Sequence, residues 1–385
     1  MRIAFLTEKY TPDIGGLAIS AERLARLLAS AGNEVHVFAP TLNLPASETR
    51  TLSSQGVGVT RFGARKRVDD TLVDWFELLV EEHGHASFDV IHAYFLTQAG
   101  FVATYAGKYL SVPSIVSARG NDLERAVFDP SHVAHILYSL QHASAVTTNA
   151  DTLARKARVL VPGLEVNVIP NGVDTELFKP LPRNNALAES LNLINGGKLE
   201  MKARVIGFAG ELREKKGLRP LLSAYAQVNK KAPSTLLIVG DVRAGQDMQI
   251  FEEFKLSNPQ ARIAVTGFVS ANDLPAYYSL MNVFVQPSLR DGLPNALLEA
   301  MACEIPVIAT PVGGIVDAVT DCKSGRLVST NSVEELADAI NELLTNADMQ
   351  RELGRAGRQT IKNRFTLRSE LDGNRAVHHR LGLKT

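Results

Sequence analysis

Short apolar runs that alternate with helical segments are the feature of this sequence that most restricts its fold. Runs of this length are typical of strands buried on both faces of a parallel sheet. In the first half they read RIAFLT (residues 2–7), EVHVFAP, DVIHAY (89–94), PSIVSA (113–118), SAVTTNA and VNVIP, and in the second half RVIGFAG, STLLIVGD, ARIAVTG, NVFVQPS and IPVIATP. The first strand leads into an amphipathic helical segment, 18–31. Strands that each lead into a helix are typical of doubly wound folds. The sequence therefore predicts an α/β fold in which one plan occurs twice.

A chain of 385 residues is long enough for two domains. The stretch between the two sets of strands contains Pro180, Pro182 and the pair Gly196-Gly197, which are typical of a connection. We therefore place the boundary between residues 171 and 200 and expect a short helix within it. From Ser332 onward the sequence predicts helices, and the last of them, 367–383, is polar enough to lie on the outside.

Charge balance and cysteine content narrow the class of protein. Lys and Arg together number 41, as do Asp and Glu, so no overall positive charge favours nucleic acid as a partner. The two cysteines, Cys303 and Cys322, show neither a disulfide framework nor the spacing of a metal site, which indicates a reducing cytoplasm. The first residues are too short an apolar run for a signal peptide, and no run reaches the roughly 18 apolar residues of a membrane span.

A small basic cluster leaves the question of membrane contact open. Such a cluster could touch anionic lipid, although a solvated loop is the commoner role for these residues. The cluster comprises Arg61, Arg65, Lys66 and Arg67. We expect a cytoplasmic protein, with peripheral contact at the inner face of the membrane as the alternative.

The segment 283–302, VFVQPSLRDGLPNALLEAMA, indicates a chemistry as well as a fold. An apolar strand leads through a turn to a helix that we expect to begin at Pro294, since proline is favoured at the first helical position. Free backbone N–H groups at a helix start bind anions, and a carboxylate such as Glu299 can accept two hydrogen bonds from hydroxyl groups. Phosphate and polyol together indicate a nucleotide sugar. The alternative is that Asp291 is a plain turn residue and Glu299 a solvated acid.

This segment resembles the glutamate–seven residues–glutamate motif of the retaining GT-B glycosyltransferases, in which Asp291 stands where most members have Glu. That family (glycosyltransferase family 4-like, group 1) includes sucrose-phosphate synthase and bacterial lipid mannosyltransferases. The resemblance implies two Rossmann-like domains that face each other across a cleft. Residues 1–171 would form the acceptor-side domain, 172–200 the connection and 201–365 the donor domain, with a last helix, 366–385, that packs back on the first domain.

The resemblance also implies roles for side chains around the donor. Glu299 would hold the ribose hydroxyls and Asp291 a hydroxyl of the transferred sugar, while backbone amides near the helix start would stabilise the leaving diphosphate. The glycine pair of PDIGGLA would line the site opposite the phosphates, and the loop after ARIAVTG would cradle the base. The implied contacts are Gly15, Gly16, Phe268, Val269, Asp291, Gly292, Leu293, Pro294, Asn295 and Glu299. A second glycine turn, Gly313-Gly314, is expected on the far side of this domain.

The charged segment GFAGELREKKG (207–217) would supply cations for the leaving phosphate. The family pattern is Gly-Arg, four residues, then Lys. Lys216 falls on the Lys position, Glu211 occupies the Arg position, and Arg213 is the nearest substitute. Glu211 would repel a diphosphate unless it pairs with one of these cations. The alternative is a solvated charged turn.

On the acceptor side, VSARGNDLER (116–125) places Arg119 where the family frequently has a His that contacts the donor sugar. Asp122 matches an acid of the family and could orient Arg119 or bind the acceptor. The two side chains could equally form a structural ion pair. The loop VIPNGVD (168–174) resembles the one that closes the first domain, and its Asn171-Gly172 turn is expected to have a positional role.

We therefore predict a hexosyltransferase that moves a sugar from a UDP-, GDP- or ADP-sugar to a hydroxyl acceptor, with retention and without a metal or other cofactor. The sequence contains no Asp-x-Asp metal motif, P-loop or G-x-G-x-x-G motif. In the mechanism that the resemblance implies, the leaving phosphate itself takes the proton of the acceptor. Two alternatives stay open: a nucleotide-sugar epimerase on the same fold, and a degenerate protein that binds a nucleotide sugar without catalysis.

Overall fold

The structure is a computed structural model that describes residues 1–13, 15–46, 48–193 and 204–383. The chain divides into two compact units, Met1–Asn171 with Leu367–Thr385, and Gly172–Thr366. Each unit contains one sheet of predominantly parallel strands with helices, so the predicted α/β class with two parallel sheets is confirmed. Part of the predicted connection, 194–200, and the first residues of the predicted donor domain, 201–203, lie outside the described residues.

The first unit contains an eight-stranded sheet of order β3-β4-β2-β1-β5-β6-β7-β8. Its strands are β1 (Arg2–Thr7), β2 (Glu34–Thr41), β3 (Thr49–Ser54), β4 (Val57–Gly63), β5 (Val90–Tyr94), β6 (Ser114–Ala118), β7 (Ala145–Thr148) and β8 (Val166–Val168). Its helices are α1 (Gly16–Ser30), α2 (Val68–His85), α3 (Gln98–Leu110), α4 (Asn121–Glu124), α5 (Pro130–His142), α6 (Asp151–Leu160) and α15 (Leu367–Arg380). All neighbouring strands are parallel except β3, which pairs antiparallel with β4.

The β3–β4 hairpin was not predicted, because β3 (TRTLSS) is exposed along its whole length and gives no apolar signal. The hairpin changes the interpretation of the basic cluster. Arg61 lies on β4, where its guanidinium donates to the carbonyl of Tyr10 at 2.7 Å and pairs with Asp13 at 2.9 Å. Arg65 pairs with Asp74 at 2.6 Å. These arginines therefore hold the local fold together.

The second unit contains a six-stranded parallel sheet of order β11-β10-β9-β12-β13-β14. Its strands are β9 (Val205–Ala209), β10 (Thr235–Val239), β11 (Arg262–Val265), β12 (Val283–Gln286), β13 (Val307–Ala309) and β14 (Arg326–Leu327). Its helices are α7 (Asn185–Ser190), α8 (Leu218–Lys231), α9 (Gln246–Ser257), α10 (Leu274–Tyr278), α11 (Asn295–Ala302), α12 (Ile315–Ala318), α13 (Val333–Thr345) and α14 (Ala347–Arg364).

Apolar side chains cover both faces of each sheet. On β9, Ile206 and Phe208 belong to one buried cluster while Val205 and Ala209 belong to the other. This division arises because successive strand residues point to opposite faces. The first unit is built in the same way, and its buried Trp75 is the only tryptophan of the chain.

The C-terminal helix α15 packs on the first unit. The guanidinium of Arg23 on α1 pairs with Glu370 at 3.0 Å, and Glu370 is almost fully buried. A side chain at Gly373 would meet Ile169, so the helix approaches the chain beyond β8 closely. Among the described helices, none has the length and apolar character needed to cross a membrane.

Candidate functional site

In the second unit, the predicted residues Lys216 and Asp291 lie together. Lys216 ends a 3-10 helix, Glu214–Lys216, in the connection from β9 to α8, and Asp291 lies in the loop after β12. These strands are neighbours in the sheet, so the loops at their carboxyl ends meet. The Lys216 Nζ atom donates to Asp291 Oδ2 at 2.5 Å, with side chains 22% and 13% exposed. The pair is thus mostly buried, with a small part of each side chain at the surface.

A buried polar relay holds the Asp291 carboxylate from the other side. Gln286 Nε2 donates to Ser288 Oγ at 2.8 Å, and Ser288 Oγ donates to Asp291 Oδ2 at 3.0 Å. Gln286 and Ser288 are fully buried, so solvent does not compete for these hydrogen bonds. Oδ2 therefore accepts from both Lys216 and Ser288, while Oδ1 makes no hydrogen bond to the described residues.

Two glycines allow the surrounding loops to approach. Gly217 has φ +84°, and a Cβ there would lie 2.0 Å from the carbonyl oxygen of Pro287. Gly313 has φ +56°, and a Cβ there would lie 1.6 Å from the carbonyl oxygen of Asp291. The amide of Gly314 also donates to the carbonyl of Gly292 at 2.6 Å. The prediction that the Gly313-Gly314 turn lies on the far side was wrong, because β12 and β13 are adjacent strands.

Helix α11 begins at Asn295, one residue later than predicted. Pro294 precedes it with extended backbone (φ −69°, ψ 124°), so its ring sets the entry of the chain and not the first helical turn. Gly292, Leu293 and Pro294 are buried, whereas Asn295 is partly exposed. The helix start thus follows the Asp291 loop directly.

Tyr278 positions the Glu299 carboxylate on α11. The buried Tyr278 hydroxyl donates to Glu299 Oε2 at 2.8 Å. Burial, and then the negative charge of Glu299, raise the pKa of Tyr278 well above its usual value, so the hydroxyl stays a donor. Burial and the same carboxylate raise the pKa of Cys303 to about 12, which keeps that thiol protonated and unreactive.

The other predicted donor-side residues are distributed around this group. Arg213 pairs with Glu211 at 3.2 Å, which is the pairing that would relieve repulsion of a diphosphate by Glu211. After β11, Phe268 is 65% exposed and Val269 is partly buried against the core. Gly15 and Gly16 belong to the first unit, where Gly15 (φ +133°) precedes α1 and Gly16 begins it.

Asp122, in the first unit, binds backbone and not the guanidinium of Arg119. Its fully buried carboxylate accepts from the amides of Arg119 (3.0 Å), Gly120 (2.9 Å) and Leu123 (3.0 Å). Burial raises the pKa of Asp122 to about 6, against the lowering effect of these amides. The structural ion pair considered from the sequence is therefore wrong. Direct contact of Asp122 with an acceptor also disagrees with its burial.

The guanidinium of Arg119 has other partners. It donates to Asn171 Oδ1 at 3.1 Å, and its carbon lies 4.0 Å from the centre of the Tyr94 ring. Arg119 follows β6 and Tyr94 ends β5, so both lie at the carboxyl edge of the sheet. Open α/β sheets bind ligands at this edge.

Two family models match the sequence of this chain. The model of the group 1 glycosyl transferases matches residues 192–360, and that of Glycosyltransferase Family 4 matches residues 14–177. This chain belongs to the GT-B glycosyltransferases. The first match spans Lys216, Asp291 and Glu299, and the second spans Arg119 and Asp122.

Individual known enzymes are similar to this chain along nearly its whole length. The GDP-mannose-dependent alpha-(1-6)-phosphatidylinositol monomannoside mannosyltransferase of Mycobacterium tuberculosis is 25% identical over 94% of this chain and 93% of its own. The alpha-maltose-1-phosphate synthase of Mycolicibacterium smegmatis is 27% identical over 95% and 96%. The structure of sucrose-phosphate synthase from Thermosynechococcus elongatus superposes with a TM-score of 0.81 at 23% identity, covering 99% of this chain and 98% of that one. The predicted GT-B family and fold are confirmed, and so is the prediction that the chain is a glycosyltransferase.

Several site residues of this glycosyltransferase were missed from the sequence. Ser288, Gln286 and Tyr278 hold the two carboxylates, and Tyr94 packs on Arg119. Asn171, for which a positional role is expected from the sequence, accepts a hydrogen bond from Arg119. Ser288 had one available signal, since it is a small polar residue directly beyond a buried strand. Tyr278 had none, because it contacts Glu299 from 21 residues away in the chain.

Proposed function

We propose that this glycosyltransferase moves a hexosyl group from a nucleoside diphosphate sugar to a hydroxyl acceptor, with retention and without a metal ion. The observation that carries the proposal is the arrangement of Lys216, Asp291 and Glu299 around the start of α11. It combines a cation, a tethered carboxylate and a second carboxylate within one short stretch of the sheet edge.

The donor would lie along this stretch. The Tyr278 hydroxyl fixes the rotamer of Glu299, which suits that carboxylate to accept hydrogen bonds from ribose hydroxyls. Asp291 keeps Oδ1 for a hydroxyl of the transferred sugar, because Lys216 and Ser288 share Oδ2. The use of a nucleotide sugar is supported by the mycobacterial relative, which is named as GDP-mannose-dependent.

Chemistry would centre on departure of the diphosphate. The bond from the anomeric carbon to the phosphate oxygen breaks, and negative charge develops on that oxygen. The Lys216 ammonium and the backbone amides at the start of α11 would stabilise this charge. The acceptor hydroxyl then attacks from the same face of the sugar and gives its proton to the departing phosphate, so retention requires no enzymic nucleophile.

Binding of the nucleotide tests the donor site. We would titrate the full chain with UDP, GDP and ADP in the presence of a chelator and follow thermal unfolding. A nucleotide at a hundredfold of its dissociation constant should stabilise the wild type by about 2.7 kcal/mol. Glu299→Ala should lose this stabilisation, whereas Glu352→Ala, an exposed helical glutamate on α14 of the same unit, should retain it.

Two further results decide between the proposal and its alternatives. If none of the three nucleotides stabilises the wild type, the donor site is absent. If one binds but its sugar derivative is never turned over with any hydroxyl acceptor, the degenerate binding protein is favoured. Nuclear magnetic resonance of the glycosidic product reports the anomeric configuration, and inversion would overturn the same-face mechanism.

A further inference from the structure

Arg119 is a cation of the first unit. Among the described residues, no carboxylate forms an ion pair with it. Its guanidinium donates one hydrogen bond to the amide oxygen of Asn171 and packs on the ring of Tyr94. Its Nε atom is buried and has no hydrogen-bond partner. A guanidinium has five N–H donors, and the partly buried Arg119 side chain uses one of them on another described residue.

This arrangement is costly for the fold alone. Removing a charge from water without an opposite charge is unfavourable, and a buried donor without an acceptor adds to that cost. The acid closest in sequence, Asp122, does not compensate the charge, because its carboxylate is occupied by three backbone amides. The compensating anion is therefore expected from outside the chain.

The loop after β5, next to Arg119, contains a residue with strained backbone. Phe95, directly after Tyr94, has a backbone φ of 120°, which residues other than glycine rarely adopt. Its amide donates to the carbonyl of Ser117 on β6 at 3.0 Å, which fixes the strained turn beside Arg119. Strained backbone of this kind concentrates at functional sites.

The chemistry of the guanidinium indicates the ligand. Tyr94 covers one face of the planar group, so a ligand would bind at its nitrogen edge, which matches the oxygens of a phosphate or carboxylate. The planar guanidinium is a cation with a fork of donors, so the group that it selects is an anion. A neutral sugar hydroxyl would leave that charge uncompensated.

We propose that Arg119, held by Tyr94 and Asn171, binds an oxyanion of the acceptor, so that the acceptor carries a phosphate ester or a carboxylate. The inference rests on the proposed function and on the acceptor-side role that the family resemblance implies for residues 1–171. The same chemistry could come from the diphosphate of the donor, and the experiment separates the two sources.

The test uses the full chain and calorimetric titration. The probes are glucose, glucose 6-phosphate and glucuronate, which differ in their anionic group, together with inorganic phosphate and the nucleoside diphosphate that binds best. The variants are Arg119→Gln, which removes the charge, and Arg119→Lys, which keeps the charge but loses the planar fork. Arg155→Gln, at an exposed position on α6, is the control for net charge.

The wild type should bind glucose 6-phosphate or glucuronate at least tenfold more tightly than glucose. Arg119→Gln should lose this preference, Arg119→Lys should keep part of it, and Arg155→Gln should keep all of it. Nucleotide affinity should be unchanged in every variant. The proposal is overturned if the wild type does not distinguish the anionic probes from glucose. A tenfold loss of nucleotide affinity in Arg119→Gln, with anion binding unchanged, would also overturn it and assign Arg119 to the donor.

The anionic probes are also titrated without nucleotide, which separates this inference from the proposed function. Anion binding that depends on Arg119 in a chain that binds no nucleotide would refute the proposed function and leave the anion site standing. Nucleotide binding without a preference for the anionic probes would support the proposed function and refute the anion site.

Discussion

Replacement of Ser288 by alanine should loosen the Asp291 carboxylate without changing any group that would touch the donor. Ser288 is fully buried and its hydroxyl makes two hydrogen bonds, one from Gln286 and one to Asp291. The alanine variant removes both. It leaves the Gln286 amide nitrogen without an acceptor at a position 1% exposed, where the Gln286 Oε1 atom already has no partner.

The magnitude follows from these two losses. A hydrogen bond to a charged group contributes about 1.5–3 kcal/mol, and a buried donor left unsatisfied costs about 1–3 kcal/mol. Because one hydroxyl serves both interactions, the terms overlap, and we expect a local loss of about 3 kcal/mol. That corresponds to about a hundredfold in an opening equilibrium.

Amide hydrogen exchange on peptides covering residues 283–302 measures this opening directly. Protection in these peptides should fall by about a hundredfold, since 1.4 kcal/mol corresponds to a factor of ten. Affinity for the nucleotide sugar should fall more than affinity for the free nucleotide, because only the sugar is expected to contact Asp291. Ser234→Ala is the matched control, since Ser234 is a buried serine of the same unit whose hydroxyl has no hydrogen-bond partner. If Ser288→Ala changes exchange no more than Ser234→Ala does, the relay does not hold the carboxylate.

Three further outcomes are expected. Gly313→Ala should abolish nucleotide-sugar binding in titrations, because its Cβ would overlap the carbonyl oxygen of Asp291 and its φ is left-handed. Tyr278→Phe should weaken nucleotide binding about tenfold, since the hydrogen bond that orients Glu299 is worth about 1.5 kcal/mol or more. The raised pKa of Asp122, about 6 in the fold against 3.8 normally, means that the folded state binds the proton more tightly. Stability of the first unit should therefore fall as pH rises from about 4 to about 6 and then level off. Urea unfolding followed by the single tryptophan should show this slope, and Asp122→Asn should flatten it.

The architecture was largely predictable because strands buried on both faces leave a continuous apolar signature. The runs at β1, β2, β5, β6, β9, β10 and β12 are such strands, and each was predicted. The exposed β3 and the two-residue β14 lack that signature. Their pairing depends on neighbouring strands that a local pattern does not reveal.

The site was predictable only where the resemblance supplied its residues. Lys216 and Asp291 are 75 positions apart, and their contact depends on the adjacency of β9 and β12. The same adjacency argument places Gly313 against Asp291, yet the order of strands within the sheet was not available from the sequence. Predicting a side-chain partner such as Tyr278 requires the order of the strands and also the rotamer of the side chain.

Arg119 and Asp122 illustrate why charge spacing misleads at a strand end. Opposite charges three residues apart pair readily on a regular helix, where both side chains share a face. Here the chain leaves β6 and turns into the short helix α4, so the first amides of that turn point inward and need an acceptor. The Asp122 carboxylate satisfies three of them, which is worth more than one partly exposed ion pair. The backbone amides thus bind the negative charge of Asp122. The anion that we propose for Arg119 would therefore come from the substrate.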